Sequence, residues 1–304
     1  MIKTFKIFQA DAFTKEIFKG NPAGVVINAD GLNETQMLSI ARELNNSETA
    51  FIFSPEDKDH DVRIRFFTPA VEVPSCGHAT IASHYIRAKE NHLPSGTVFH
   101  KIGIGVLPVD ILKLDDDYKI MMTQGKPEFL DIVKEDTKNK IINSLGLKEE
   151  DLYESLPVQI VSTGHSKVLI GIKSKQKLNS LLPVHNNLIE ISKRIGCNGY
   201  FVFTLDSREK EILANGRMFA PAIGINEDPV TGNANGPLGA YLVKYSLVKH
   251  DENCFSFKSK QGEAINREGI CYVEVFIDNR NPVRVKIGGY AVITFKTTLD
   301  LEIN

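Results

Sequence analysis

Apolar and polar residues alternate along the chain start, which predicts a strand at Thr4–Asp11, and a short β-branched apolar run predicts a second at Val25–Asn28. Between them Gly20-Asn21-Pro22-Ala23-Gly24 has the composition of a tight turn. The period then changes: Met37, Ile40, Ala41 and Leu44 recur at helical spacing behind a cap at Asp30 or Asn33, and the helix is expected to end at Asn45-Asn46. Ser47-Glu48-Thr49 leads into a strand at Ala50–Phe53, and a polar loop with Pro55, Glu56, Asp57 and Asp59 leads into another at Val62–Phe67. The stretch from Arg65 to Ile86 reads as a strand, a Pro-bounded corner, and a helix opening at Cys76-Gly77-His78. That helix is apolar over most of its circumference and therefore expected to be buried. Strands at Thr97–His100, Gly105–Ile111 and Tyr118–Thr123 follow. The charged, turn-rich stretch Lys126–Lys148, with a helix at Lys134–Leu145, is the candidate domain linker.

The second half repeats this outline. A strand pair over Val158–Ile172, broken at Thr163-Gly164-His165, precedes a helix near Leu188–Ile195 and a strand at Tyr200–Phe203. Arg217-Met-Phe-Ala-Pro-Ala echoes Arg65-Phe-Phe-Thr-Pro-Ala, and Thr231-Gly232-Asn233-Ala234 opens a second helix as Cys76-Gly77-His78-Ala79 opens the first. Phe67 and Phe219, at matching places in the two hexapeptides, stand half a chain length apart. Echoed blocks in the same order imply a duplicated domain, each copy a strand-rich layer around one buried helix. Pro237 fits only the first turn of a helix without kinking it, so the second helix is allowed to begin as late as Asn235. The β-rich end, about Tyr290–Asn304, is expected to return to the first domain. The expected domains are 1–124 plus 290–304, and 125–289.

Composition narrows the function. At 304 residues, 42% hydrophobic and 24% charged, the chain is long enough for two cores. A formal net charge of -2 leaves no basic surplus for nucleic acid or an anionic membrane, so neither is an expected partner. The start alternates like a strand and carries no secretory pattern, and the four cysteines are widely spaced with no C-x-x-C pair; a cytoplasmic protein with reduced thiols is expected. No nucleotide loop follows Gly24, since no Lys-Ser/Thr stands there. The two helix starts are the candidate chemistry. Their first N–H groups have no partner within the helix and the helix dipole is positive there, which suits an anion.

Asp11-Ala12-Phe13-Thr14, Gly20–Gly24, Ser47-Glu48-Thr49-Ala50-Phe51, Cys76-Gly77-His78-Ala79-Thr80 and Glu227-Asp228-Pro229-Val230-Thr231-Gly232-Asn233 resemble the signatures of the PhzF-like phenazine-biosynthesis family, within the diaminopimelate epimerase superfamily. The resemblance covers nearly the whole chain. It implies an α+β fold of two pseudo-symmetric β-barrel-like domains, each around a central helix, with the active site in the cleft between them. It also implies cofactor-independent, metal-free proton transfer on a small carboxylate substrate, and commonly a homodimer. In the isomerase that names the family, the glutamate matching Glu48 moves a proton within an amino-hydroxy-cyclohexadiene carboxylate, and the residues matching His78 and Asp228 line the site. By this resemblance Glu48, His78 and Asp228 are the catalytic candidates, and Asn21, Cys76, Gly77, Thr231, Gly232 and Asn233 the substrate-binding ones.

The same residues allow other readings. Taken locally, Glu48 reads as a solvated loop carboxylate, and the Ser-Glu-Thr-Ala-Phe match reverses that. A thiol at a helix start can have a lowered pKa, so Cys76 is a rival base for a single-thiol racemase or epimerase. In the two-cysteine epimerases of the superfamily a cysteine precedes the glycine at each helix start, and here the second position is Thr231, a poor carbon-acid base. Cys76, His78 and His84 fit no zinc spacing, and His84 belongs on another part of the helix surface. A non-catalytic small-molecule-binding protein that has kept the cleft is the reading from a different class.

Overall fold

The structure is a computed structural model that describes residues 1–303; Asn304, the last position of the expected closing strand, lies outside the described residues. The chain divides into two compact units, Met1–Thr123 with residues 288–303, and Gln124–Ile287.

In the first unit the alternating N-terminal segments form β1 (Ile2–Ala12) and β2 (Asn21–Val26), followed by α1 (Glu34–Leu44), β3 (Thr49–Phe53) and β4 (Val62–Phe67). A short β5 (Glu72–Val73) precedes α2 (Gly77–Asn91), and the strands β6 (Gly96–Ile102), β7 (Gly105–Leu114) and β8 (Asp117–Thr123) follow. Strand β1 is antiparallel to β2, β3 to β4, β6 to β7, and β7 to β8. Pairs β2–β3 and β4–β6 are parallel, so each needs a crossover; α1 supplies the first and α2 the second. Asn33 and Gln36 form a reciprocal capping box at the start of α1, and Asn45 ends it in a left-handed conformation. Met37, Ile40 and Ala41 on its inner face pack with Phe5, Val26, Phe51 and Phe67, the last two rings edge to face at 5.5 Å. Helix α2 is buried on nearly every side, against β1, β2, β3, β7 and β8, as its all-round apolar sequence requires.

The second unit opens with β9 (Glu128–Ile132) and α3 (Glu135–Ser144), then β10 (Gln159–Ser162), β11 (Lys167–Gly171), α4 (Lys175–Asn179) and α5 (His185–Ile195). It continues through β12 (Tyr200–Thr204), β13 (Ala214–Ala220), β14 (Ile225–Asp228), α6 (Gly232–Lys244), β15 (Cys254–Gln261) and β16 (Gly269–Asp278). Strands β17 (Asn281–Gly289) and β18 (Ala291–Glu302) end the chain. Its pairing order copies the first unit: β10 antiparallel to β11, β11 parallel to β12, β12 antiparallel to β13, β13 parallel to β15, β15 antiparallel to β16. Helices α5 and α6 span the parallel crossovers, β14 pairs with β13 as β5 pairs with β4, and β9 flanks β10 as β18 flanks β1. The fold is α+β and internally duplicated.

The linker expectation differs from what forms, whereas the helix at Lys134–Leu145 forms as α3 and the second helix opens at Gly232 as its echo of the first implies. The stretch Lys126–Lys148 is no bare connector: it holds β9 and α3, and Val133, Ile141, Ile142, Leu145 and Leu147 join the core of the second unit. Strand β13, like β12, is buried at every position, but its first half is Asn215, Gly216 and Arg217 and not an apolar run. Helix α6 begins at Gly232 and holds Pro237 inside it. Gln124 donates to the Gly232 carbonyl and to Asn233 Oδ1, so the first turn has a side-chain partner from outside the helix. Among the described residues no helix is long and apolar enough to cross a membrane.

One buried polar pair in the first unit has consequences for stability. His84 of α2 and His100 of β6 are both fully buried, with Nε2 and Nδ1 3.3 Å apart, while His84 Nδ1 and His100 Nε2 have no hydrogen-bond partner. Burial holds His84 well below the ordinary imidazole value, His100 and Arg87 adding to it, and pushes His100 down to about 4. The unfolded chain then binds more protons than the folded one below pH 6.5, so stability is full above that pH and is lost as pH falls toward 4. For His100 alone the loss is about 3 kcal/mol. In urea unfolding followed across this range, a His84→Gln/His100→Gln double variant is expected to lose less stability on acidification than the parent. Equal losses in the two proteins would rule out the pair as the source.

Candidate active site

Glu48 is fixed at both ends by the backbone. Behind it Asn45 closes α1, with φ 50°, and Asn46 exchanges two 2.8 Å amide hydrogen bonds with Gln9; ahead of it Thr49 begins β3. The Glu48 carbonyl accepts from Gly24 N–H at 3.3 Å, extending the parallel β2–β3 ladder by one residue. Gly24 is required by space: a Cβ there would lie 2.6 Å from Leu44 Cδ1 and 2.7 Å from Thr49 Oγ1. The tight turn expected over Gly20–Gly24 does not form, because Asn21 to Gly24 pair with β1 as the start of β2; just before that strand Gly20 has φ +60°, and a Cβ there would lie 2.1 Å from the Ala12 carbonyl. Asn21, the first residue of β2, is buried opposite Ala12 of β1.

The start of α2 faces this loop. Cys76 is the N-cap residue in extended conformation, and no side chain caps the helix. The first intrahelical bond runs from Thr80 N–H to the Cys76 carbonyl, which also accepts from the Thr80 hydroxyl at 2.7 Å. The N–H groups of Gly77, His78 and Ala79 precede that bond and have no acceptor within the helix. His78 folds its imidazole back over the start. Its Nδ1 lies 3.5 Å from Cys76 Sγ, and its Nε2 lies 3.3 Å from Ser47 Oγ and 3.4 Å from Glu48 Oε2. The side chains of Glu48 and His78 are 16% and 9% exposed, so the cluster sits just below the surface. Glu48 Oε2 is screened from solvent and makes no hydrogen bond. A buried carboxylate oxygen that has exchanged water for an imidazole at ion-pair distance, without a hydrogen bond, can take one from a ligand. One ligand atom each from Glu48, Cys76 and His78 lie within 4.8 Å of one another, so this set, unlike Cys76, His78 and His84, has the geometry to hold a metal. His84 is turned away to His100.

In the second unit Asp228, Thr231 and the start of α6 form a different arrangement. The Thr231 hydroxyl donates to Asp228 Oδ2 and accepts from Gln261 Nε2 at 3.2 Å. Gln261 also donates to the Asp228 carbonyl at 2.7 Å and accepts from Thr231 N–H at 3.1 Å, while Asn235 Nδ2 donates to the Thr231 carbonyl at 2.9 Å. Gly232 and Asn233 form the first turn, steadied by Gln124, which itself accepts from Thr163. Burial pushes the Lys167 ammonium below its ordinary value, and Cys197 and Asp228 pull it partly back. Ser47, Gln124, Lys167, Asn235 and Gln261 were not singled out from the sequence. Ser47 adjoins Glu48 in a quoted motif, whereas Gln261 reaches Asp228 only because β15 pairs with β13.

A model of the phenazine biosynthesis-like protein family matches residues 10–297 of the chain. An uncharacterized isomerase of Clostridium acetobutylicum is 59% identical over 302 residues, covering 99% of this chain and all of that one. The uncharacterized isomerase YddE of Escherichia coli K12 is 48% identical over 298 residues, 98% of this chain and 99% of its own. Among solved structures, a Bacillus anthracis phenazine biosynthesis protein of the PhzF family superimposes with a TM-score of 0.87 at 31% identity, covering 98% of this chain and 99% of that one.

Gln261 is 1% exposed, and its amide ties Asp228 and Thr231 to the end of β15. Gln261→Leu keeps the bulk but strands the Thr231 N–H and the Asp228 carbonyl, and is expected to lower stability by about 1–3 kcal/mol for each group left buried and unpaired. Urea unfolding measures this, and a midpoint equal to the parent's would show that the amide is not the anchor.

Proposed function

Since the chain belongs to the phenazine biosynthesis-like protein family, we propose that it is an isomerase that moves a proton on a small carboxylate substrate without a cofactor, with Glu48 as the acid–base group. The observation that carries this reading is Glu48 Oε2, buried, without a hydrogen bond, and beside the uncapped start of α2. Glu48 takes a proton from a carbon of an unsaturated substrate carboxylate, the C–H electron pair delocalises over the neighbouring C=C bond and the carboxylate, and Glu48 returns the proton to the far carbon of that system, so that the double bond shifts as one C–H bond breaks and another forms. The transient negative charge needs fixed donors. The first-turn N–H groups of α2, beginning at Gly77, are the donors assigned to it, with Cys76 and Asn21 lining the same end. His78, 3.4 Å from Oε2, is assigned to orienting Glu48. Asp228, Thr231, Gly232 and Asn233 are assigned to substrate binding and orientation.

A second reading is favoured by one distance. Cys76 Sγ lies 3.5 Å from His78 Nδ1, so the imidazole is placed to take the thiol proton and leave a thiolate as the base of a single-thiol racemase. A two-thiol mechanism does not fit, because Thr231 stands at the second helix start with its hydroxyl committed to Asp228.

The test is exchange of carbon-bound hydrogen for solvent deuterium in a pool of small carboxylates, followed by mass spectrometry. Glu48→Gln keeps shape but cannot accept a proton, and is expected to lower exchange about a hundredfold to ten-thousandfold with folding and ligand affinity nearly intact. Cys76→Ala is expected to remain active, and Asp228→Asn to weaken binding as well as turnover. Parent-like exchange by Glu48→Gln moves the base to Cys76. Tight binding of a carboxylate with no exchange by the parent protein would make it a binding protein.

A further inference from the structure

We infer that the outer edge of β18 is an interface at which two copies of this chain pair strand to strand about a two-fold axis through Thr298. Among the described residues β18 is paired with β1 alone, although it is 12 residues long and exposed from Phe295 to Thr298. An open edge of this length is a template for another strand. Which of its backbone groups are open follows from the ladder. Met1 and Ile303 exchange both N–H···O bonds. Lys6, opposite Thr298, turns to the other side of β1, where its carbonyl accepts from Ile27 N–H and its own N–H donates to Asn28 Oδ1. Bonded and unbonded pairs alternate along an antiparallel ladder, so Thr297, Leu299 and Leu301 bond to β1, while Lys296, Thr298, Asp300 and Glu302 direct their N–H and C=O groups away from it. The Glu302 carbonyl is taken by Gln36 Nε2 at 2.8 Å, which closes the edge at that end.

A second β18 laid antiparallel, with Thr298 opposite Thr298, sets Lys296 against Asp300 and Asp300 against Lys296, so each open group meets a partner. The side chains agree with this register. On one face opposite charges stand across from each other on both sides of a Thr–Thr pair, and both kinds of pair stabilise an antiparallel sheet. Within its own chain Lys296 is 70% exposed, with Glu90 4.0 Å away. On the other face Thr297 meets Leu299 and Phe295 meets Leu301. Leu299 and Leu301 pack on the core beneath α1, and beside them runs an apolar groove of about 580 Å³ walled by Ile7, Ser39, Ile40 and Leu44. Phe295 is 52% exposed, and the pairing carries its ring to the groove of the second copy. Moving the axis by one residue to Leu299 would set Lys296 against Glu302, whose carbonyl Gln36 already holds. Edge, charges and groove thus specify one occupant in one register.

The edge contains none of the residues assigned to proton transfer, so association is read independently of activity. Sedimentation velocity of the full chain over a micromolar concentration series is expected to show a dimer. Lys296→Glu places like charges across the axis twice and is expected to weaken it about tenfold or more, and Lys296→Glu/Asp300→Lys, which reverses the pair, to restore it. Thr298→Pro removes an outward N–H without touching the β1 ladder and is expected to give monomer. In a Cys254→Ser background, Thr298→Cys is expected to link two chains under mild oxidation, since Cα atoms of a bonded pair lie about 5.5 Å apart. A monomeric parent, a dimer indifferent to Lys296→Glu and Thr298→Pro, or a charge-reversed double variant no stronger than Lys296→Glu would overturn the assignment. The charge variants alter exposed side chains, so they remain readable if Thr298→Pro fails to fold.

Discussion

The first unit depends on burying a helix end. Helix α2 is enclosed along its length, and a buried helix start must find partners for N–H groups that the helix itself cannot satisfy. Here no side chain caps it. The Cys76 carbonyl is taken up by Thr80 N–H and by the Thr80 hydroxyl, and His78 turns back toward Cys76, Ser47 and Glu48. The first-turn amides therefore stay available, and the nearest carboxylate keeps one oxygen without a hydrogen bond. An uncapped start beside a carboxylate oxygen that makes no hydrogen bond costs stability, a cost that proteins carry at sites where a ligand completes the set.

Placement of that acid is a matter of backbone more than of side chains. Glu48 stands between a helix closed by Asn45 and a strand opened by Thr49, and its carbonyl is tied to Gly24. Any residue larger than Gly at 24 would collide with Leu44 and Thr49, so the close approach of β2 to the α1–β3 corner and the aim of Glu48 are one constraint.

The two units share a pairing order but not a chemistry. Both place a helix across a parallel crossover, and both open that helix with a small residue and glycine. In the second unit the equivalent start is closed in on itself: Gln261, Asn235 and Asp228 satisfy Thr231, and Gln124 holds the first turn. Apolar patterning sets topology, and a handful of polar side chains sets what each helix start can do.

The sequence by itself determined the duplication, the two buried helices and the strands next to them, because those features rest on periodicity and on turn residues whose preferences are local. It also singled out Glu48, Cys76, His78, Asp228 and Thr231 through short motifs at element boundaries. Strand β13 was legible only as an echo of the Arg65 strand, since its buried positions include Asn215, Gly216 and Arg217 and so lack the apolar run that marks β12. The core role of Ile141, Ile142 and Leu145 was obscured by the charges around them. Only tertiary structure decided that Glu48 meets Cys76 and His78, that His84 meets His100, and that Gln261 holds Asp228 and Thr231. Each is a contact between segments far apart in the chain, and local propensity carries no information about which distant side chain will fill the space a strand pairing leaves.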